Sequence, residues 1–215
     1  MRWGSRRGDS LKRPYTQQLG AAVRLERMAF PDAAQLTELL QPLLEPRGLD
    51  VEDVKTTKAG KKSQVIIRID GDQRPSSDVL EDVSNQISEF FDAKEESGEL
   101  NFGAGYTLEV STPGVDLPLT APRHWRRNRG RLVAFELTPG KSEVARIGAL
   151  SDDASSVALI TTVKKDVYFR IERLENIARA VVEIEFAKPS AAEQEAAQQT
   201  FEYAEQNSAT REDEK

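Results

Sequence analysis

The sequence predicts an α+β protein made of two small domains, a two-layer αββαβ domain followed by a small β-barrel, with a disordered tail at each end. In the first half, helical and strand-like segments alternate, whereas five short strand-like segments follow one another in the second half. The charge changes at the same place, from −9 over residues 32–111 to +2 over residues 112–186. A simultaneous change of pattern and surface charge indicates a domain boundary.

The first predicted domain, residues 32–111, begins with a helix after Asp32. Its leucines recur at the spacing of one helical face. These leucines are Leu36, Leu39, Leu40, Leu43 and Leu44. Pro42 is expected to kink this helix or to split off its last turn, and Gly48 is expected to cap its C-terminal end.

Two strands, residues 49–57 and 64–70, are predicted to follow as a hairpin, because apolar and polar residues alternate in them. A second amphipathic helix opens at residues 75–77, and a third strand covers residues 106–111. Each helix has one apolar face, so we expect both helices to cover one face of a three-stranded sheet.

The second predicted domain, residues 123–187, follows an interdomain linker at residues 112–122. Its strands are expected at residues 132–137, 144–150, 157–163, 167–171 and 178–186. One helical turn, residues 172–177, is expected before the last strand. Consecutive short strands with long exposed edges would be unfavourable, so the sequence predicts that they close into a barrel.

Both ends of the chain are predicted to be disordered. Residues 1–31 hold seven basic and two acidic residues without apolar periodicity. This basic arm is compatible with a clamp on nucleic acid, with an organelle transit peptide, or with a leader absent from the native product if translation starts at Met28 rather than Met1. Residues 188–215 form an acidic tail rich in Ala, Gln and Glu, expected to be disordered or transiently helical.

The composition argues against an enzyme. The chain has no cysteine and one histidine, His124, which excludes disulfides, thiolate zinc sites, cysteine nucleophiles and paired-histidine zinc sites. His124 has no nucleophile or orienting acid near it in the sequence. We therefore predict a non-enzymatic protein without metal or other cofactor. No apolar run approaches the roughly 20 residues of a spanning helix, so no membrane partner is expected.

An arginine-rich segment surrounds Trp125. Its five arginines are Arg123, Arg126, Arg127, Arg129 and Arg131. Guanidinium groups match phosphates and an exposed indole can stack on a base, so this segment is the predicted partner or RNA-binding site. Lys164 and Lys165, in a barrel turn, are a predicted second contact. The alternative is that Trp125 anchors the core, which we favour for that residue, and that the arginines are merely solvated.

The linker contains several conformationally restricted residues. Pro113, Gly114, Asp116 and Pro118 predict a defined turn rather than a flexible tether. The favoured interpretation is a structural linker without partner contacts.

The chain also resembles a known family at this linker. The strand Leu108-Glu109-Val110-Ser111 leads through Thr112 into Pro113-Gly114-Val115-Asp116-Leu117-Pro118-Leu119. This run resembles the signature of the bacterial ribosome maturation factor RimP family, in which Leu-Glu-Val-Ser leads into Pro-Gly-(Leu or Ile)-Asp-Arg-Pro-Leu. Here Leu117 stands where the family usually has arginine. The resemblance covers residues 32–186, with further matches at residues 48–49, 67–70, 82–84 and 129–131.

The resemblance implies an αββαβ domain joined to an Sm-like or SH3-like barrel. It implies a non-enzymatic, cytoplasmic ribosome biogenesis factor that binds the immature small (30S) ribosomal subunit. The expected contacts are a ribosomal protein near the decoding centre and ribosomal RNA, made chiefly through the barrel of a monomer. The alternative function is an Sm-like RNA-binding regulator that acts outside the ribosome. The acidic first domain is expected to repel RNA and to favour basic ribosomal proteins.

Overall fold

A computed structural model of the chain describes residues 29–138 and 140–208. The chain forms two compact units that meet at Thr112 and Pro113. Most of the predicted basic arm, including Met28, and residues 209–215 of the predicted tail lie outside the described residues. Within the described ranges, no helix is long and apolar enough to cross a membrane.

Unit 1 has the predicted αββαβ order. Its elements are α1 (Ala33–Leu44), β1 (Leu49–Thr57), β2 (Ser63–Gly71), α2 (Ser77–Ser97) and β3 (Tyr106–Ser111). The sheet has the order β1-β2-β3, with β1 and β2 antiparallel and β2 and β3 parallel. The hairpin explains the antiparallel pair, and α2 is the crossover that parallel pairing requires.

Local capping sets the ends of the helices in unit 1. The carboxylate of Asp32 accepts the Gln35 N–H at 2.8 Å and starts α1. Helix α1 continues through Pro42 to Leu44, so the proline does not split off the last turn, one of its two expected effects. A 3₁₀ turn, Glu45–Arg47, follows it, and Gly48 then adopts φ +69°, as its predicted role as a cap requires. The apolar faces of both helices and of the sheet form one core.

Unit 2 contains one antiparallel five-stranded sheet with helices before and after it. The elements are α3 (Pro122–Arg127), β4 (Leu132–Leu137), β5 (Lys141–Leu150), β6 (Ser156–Val163), β7 (Asp166–Arg173), β8 (Ile177–Val182), α4 (Ala191–Gln198) and α5 (Phe201–Gln206). The strand order is β7-β6-β5-β4-β8. The predicted helical turn is the 3₁₀ turn Leu174–Asn176. Strand β8 ends at Val182, four residues before its predicted end.

The predicted closure into a barrel is not confirmed, because β7 and β8 are the two edges of the sheet and do not pair with each other. Each edge is partly covered in another way. The Leu119 N–H donates to the Ala180 carbonyl on β8 at 2.9 Å, and Ser208 forms a bridge with Phe169 on β7. The barrel was predicted because long exposed strand edges are unfavourable, and this coverage protects the edges without closing the sheet.

The predicted disorder of the C-terminal tail is wrong for residues 191–206. These residues form α4 and α5, which pack against one face of the sheet. Their buried side chains are alanines, Ala196, Ala197 and Ala204, which lie in one cluster with Ile160 and Phe169. Small side chains bury little area each, so the segment lacks the strong apolar stripe that predicts a packed helix. A capping box between residues 190 and 193 starts α4.

Candidate functional site

The single histidine of the chain has a structural position. The His124 side chain is buried, and its Nδ1 accepts the backbone N–H of Thr120 at 3.0 Å and of Ala121 at 3.1 Å. These bonds satisfy N–H groups at the start of α3 that have no partner within the helix. His124 therefore acts as a cap at the N-terminal end of α3.

Trp125 anchors α3 in the core of unit 2. Its side chain is 2% exposed and belongs to one cluster with Val133, Phe135 and Ile147. The core interpretation of Trp125 is therefore confirmed, and its indole is not available to stack on a base. Anchored at His124 and Trp125, α3 leaves Arg126 exposed to solvent.

The structure divides the five predicted arginines. Arg126 is exposed, whereas Arg123 and Arg127 are half-buried. The guanidinium of Arg129 donates from Nε to the Ala197 carbonyl and from Nη2 to the Gln199 carbonyl, each at 2.7 Å. Carbonyls at a helix C-terminus favour a cation, so Arg129 caps α4. Arg131 donates from Nη1 to the side-chain oxygen of Asn128 at 3.1 Å.

A further arginine, which the sequence prediction missed, ties this segment to the rest of unit 2. Arg146 on β5 is 2% exposed. Its Nη1 donates to the Gly130 carbonyl at 2.8 Å and to Glu185 at 3.0 Å, and its Nη2 donates to Glu185 at 2.5 Å. Glu193 lies 3.6 Å from Nη2. The hydrogen bond from Arg146 lowers the pKa of the Glu185 carboxyl. The only signal in the sequence is a charged residue inside an apolar strand.

The predicted second contact lies away from the arginine segment. Lys164 and Lys165 are exposed in the turn between β6 and β7, where Lys164 adopts φ +58°. The arginine segment meets the sheet where the Ile147 N–H donates to the Arg131 carbonyl, and Ile147 lies opposite Leu159 on β6. Lys164 is five residues further along, about 16 Å of strand. The structure therefore does not bring the two predicted basic contacts into one cluster.

The linker forms the defined turn that its sequence predicts. The Leu117 N–H donates to the Gly114 carbonyl at 3.2 Å. Gly114 and Asp116 are exposed, while Pro113 and Pro118 are half-buried.

A groove of about 430 Å³ lies along the end of the linker and β8. It is lined by Pro118, Leu119, Thr120, Trp125, Leu174, Ile177, Ala178, Arg179 and Ala180.

These features define a class of two-domain protein, in which an acidic α+β unit precedes a five-stranded sheet that carries a short arginine-rich helix. Residues 39–116 match the family model of the RimP N-terminal domain. A ribosome maturation factor RimP of Corynebacterium aurimucosum is 74% identical over 188 residues, which are 86% of this chain and 100% of that protein. The chain therefore belongs to the ribosome maturation factor RimP family.

More distant relatives agree. A protein of Corynebacterium diphtheriae with the same name is 55% identical over 163 residues, covering 76% of this chain and 88% of its own length. One of Corynebacterium kroppenstedtii is 50% identical over 177 residues, covering 77% of this chain and 94% of its own length. The resemblance seen at the linker motif is thus confirmed.

Proposed function

We propose that this protein assists the maturation of the small ribosomal subunit by binding the immature 30S particle. The support from comparison is the 74% identity to a protein named ribosome maturation factor RimP. The observation in the structure that carries the proposal is α3, which His124 and Trp125 fix in place while Arg126 faces solvent. An exposed guanidinium on a fixed helix suits the phosphates of unfinished ribosomal RNA.

The two units have different partners in this proposal. The Arg126 side of unit 2 contacts ribosomal RNA, with Lys164 and Lys165 as a second contact. Unit 1, whose residues 32–111 carry a charge of −9, favours basic ribosomal proteins over RNA, while the ribosomal protein near the decoding centre is contacted chiefly through unit 2. The protein acts by binding, without catalysis or cofactor, as a cytoplasmic monomer. The linker from Pro113 to Pro118 holds a defined turn and makes no partner contact.

The test is sucrose-gradient sedimentation of cell lysates with detection of the full chain. Wild-type protein should co-migrate with immature small subunits. The double variant Arg126→Glu, Arg127→Glu should co-migrate less, and its binding should depend less on salt, because fewer phosphate contacts release fewer counterions. Arg129 stays unchanged because it caps α4.

A matched control separates the contact from overall charge. The variant Lys55→Glu, Arg173→Glu makes the same change in net charge at exposed side chains outside α3, and it should sediment like wild type. Normal co-migration of the α3 variant would show that the arginines are a solvated surface. Sedimentation of wild-type protein only with free small RNAs would instead support a regulator that acts outside the ribosome.

A further inference from the structure

Helices α4 and α5 form a strap, residues 190–206, that packs against one face of the sheet in unit 2. The buried side chains of the strap are Ala196, Ala197 and Ala204, and each of them buries little apolar area. Helices of eight and six residues are too short to be stable in water by themselves. The strap is therefore folded only while it is docked, so it has two states, docked and undocked.

Both polar anchors of the strap converge on the arginine segment. Arg129 donates from Nε and from Nη2 to two carbonyls at the C-terminal end of α4, each at 2.7 Å. In the first turn of α4, Glu193 lies 3.6 Å from Nη2 of Arg146, which also donates to the Gly130 carbonyl. The strap is thus tied to the arginine segment at both ends of α4.

The anchor at Arg129 uses the part of the guanidinium that a phosphate needs. Nε and one Nη form the edge of the group that binds two oxygens of a carboxylate or phosphate side by side. The two carbonyls of α4 occupy this edge. Docking of the strap and a bidentate phosphate contact at Arg129 therefore exclude each other.

The strap also carries charges of only one sign. Residues 190–206 contain four glutamates and no lysine or arginine. Two of them, Glu193 and Glu195, belong to α4, the helix that Arg129 holds. Carboxylates repel phosphates over about one Debye length, roughly 10 Å at 0.1 M salt. The docked strap therefore also opposes the approach of a polyanion to this side of unit 2.

We propose that the strap is autoinhibitory: while docked it withholds Arg129 from RNA, so that RNA binding and undocking favour each other. The inference rests on the function proposed above, in which the exposed Arg126 supplies the RNA contact. A ligand that binds one of two states more tightly shifts the population toward that state, and the coupling is reciprocal. Undocking does not require the sheet to open, because the exposed residues 186–188 join the strap to the rest of unit 2.

The test titrates a fluorescein-labelled single-stranded oligouridylate of about 12 nucleotides with the full chain and follows its anisotropy. Ala197→Leu should undock the strap, because Ala197 is 1% exposed and leucine does not fit beside the sheet. This variant should bind the oligonucleotide about tenfold more tightly than wild type. The slope of log K against log salt should become steeper by about 0.7, the value for one added phosphate contact on a single strand.

Two control variants assign this gain to Arg129. Ala192→Leu adds the same side chain at an exposed position of α4 and should bind like wild type. Arg129→Gln, added to Ala197→Leu, should abolish both the gain in affinity and the added slope. Amide hydrogen exchange should show residues 191–206 unprotected in Ala197→Leu, while the strands of the sheet stay protected.

Wild-type protein gives a second measurement that does not depend on any variant. Adding the oligonucleotide should speed amide hydrogen exchange in residues 191–206, because the RNA-bound state favours undocking. Unchanged or slower exchange in these residues would overturn the inference.

The remaining outcomes separate this inference from the proposed function. If Ala197→Leu undocks the strap yet binds RNA like wild type, the strap does not inhibit and the inference is wrong. It is equally wrong if the gain persists after Arg129→Gln. If the oligonucleotide leaves the strap unchanged while wild type co-sediments with immature small subunits, the inference fails and the proposed function stands. Coupling between RNA and the strap without co-sedimentation would support the autoinhibition and reject the proposed function.

Discussion

Replacing Arg146 by alanine should be among the most damaging single changes in unit 2. The guanidinium is 2% exposed and holds the Gly130 carbonyl, Glu185 and Glu193 at once. It thereby connects the arginine segment, the segment after β8, and α4. Its removal leaves the Gly130 carbonyl and the Glu185 carboxylate without this donor, and it leaves a cavity beside β5. Glu193 loses an ion pair but still accepts hydrogen bonds from Ser190.

The loss of unfolding free energy in Arg146→Ala can be bounded from the solvent exposure of the carboxylates that Arg146 contacts. Removing one partner of a fully buried ion pair costs about 3–5 kcal/mol. The side chains of Glu185 and Glu193 are 24% and 21% exposed, so water can partly solvate them in the variant. We therefore expect a loss of about 2–4 kcal/mol. For a domain of this size, that lowers the melting temperature by roughly 10–25 °C.

The measurement is thermal and urea unfolding of the full chain, followed by circular dichroism. Arg173→Ala is the matched control, because Arg173 pairs with Glu175 at 3.0 Å but the two side chains are 63% and 64% exposed. An exposed pair of this kind contributes less than about 1 kcal/mol. If Arg146→Ala costs no more than Arg173→Ala, the buried network does not stabilise unit 2 and the reasoning from burial is refuted.

Two further predictions concern the same network and the helices it holds. Arg146 lowers the folded-state pKa of Glu185 below its usual 4.5, so the stabilisation is present above that pH and is lost as pH falls through the lower folded value. Urea unfolding should show this loss in wild type and less of it in Arg146→Ala; equal acid sensitivity would contradict it. Truncation after Pro189 removes α4 and α5 and uncovers Phe169. It should lower the melting temperature of unit 2, whereas an unchanged transition would restore the view that this tail does not contribute to folding.

The sequence predicted unit 1 well because the deciding signals are local. Leucines at helical spacing and alternating residues in β1 and β2 each determine which side of their own element is buried. Once these faces are known, two helices on one side of three strands is the simplest arrangement that buries them. Helix α1 continues past Pro42 to Leu44, as the leucine spacing predicted, so of the two effects expected of the proline the splitting of the last turn is not observed.

Unit 2 was predicted less completely because its decisive contacts join distant residues. The strands of unit 2 can be recognised from their local sequence pattern. Whether their sheet closes into a barrel depends instead on how its two edge strands are covered. Leu119 covers part of β8 from the linker, and Ser208 reaches β7 from the far end of the chain. Helices α4 and α5 were missed because they pack through alanines such as Ala197. The spacing of small residues along a helix does not reveal whether that helix packs against a sheet of complementary shape.

The arginines show why charge and spacing alone cannot define a binding surface. Arg126 and Arg129 are three residues apart in one basic run, and the sequence gives no ground for treating them differently. The structure exposes Arg126, while the guanidinium of Arg129 is engaged by two carbonyls 68 and 70 residues away. The guanidinium of Arg129 would have to break its hydrogen bonds to the end of α4 before it could form a bidentate contact with a phosphate. Charge and spacing alone therefore overstate how many guanidinium groups of this segment a phosphate can reach.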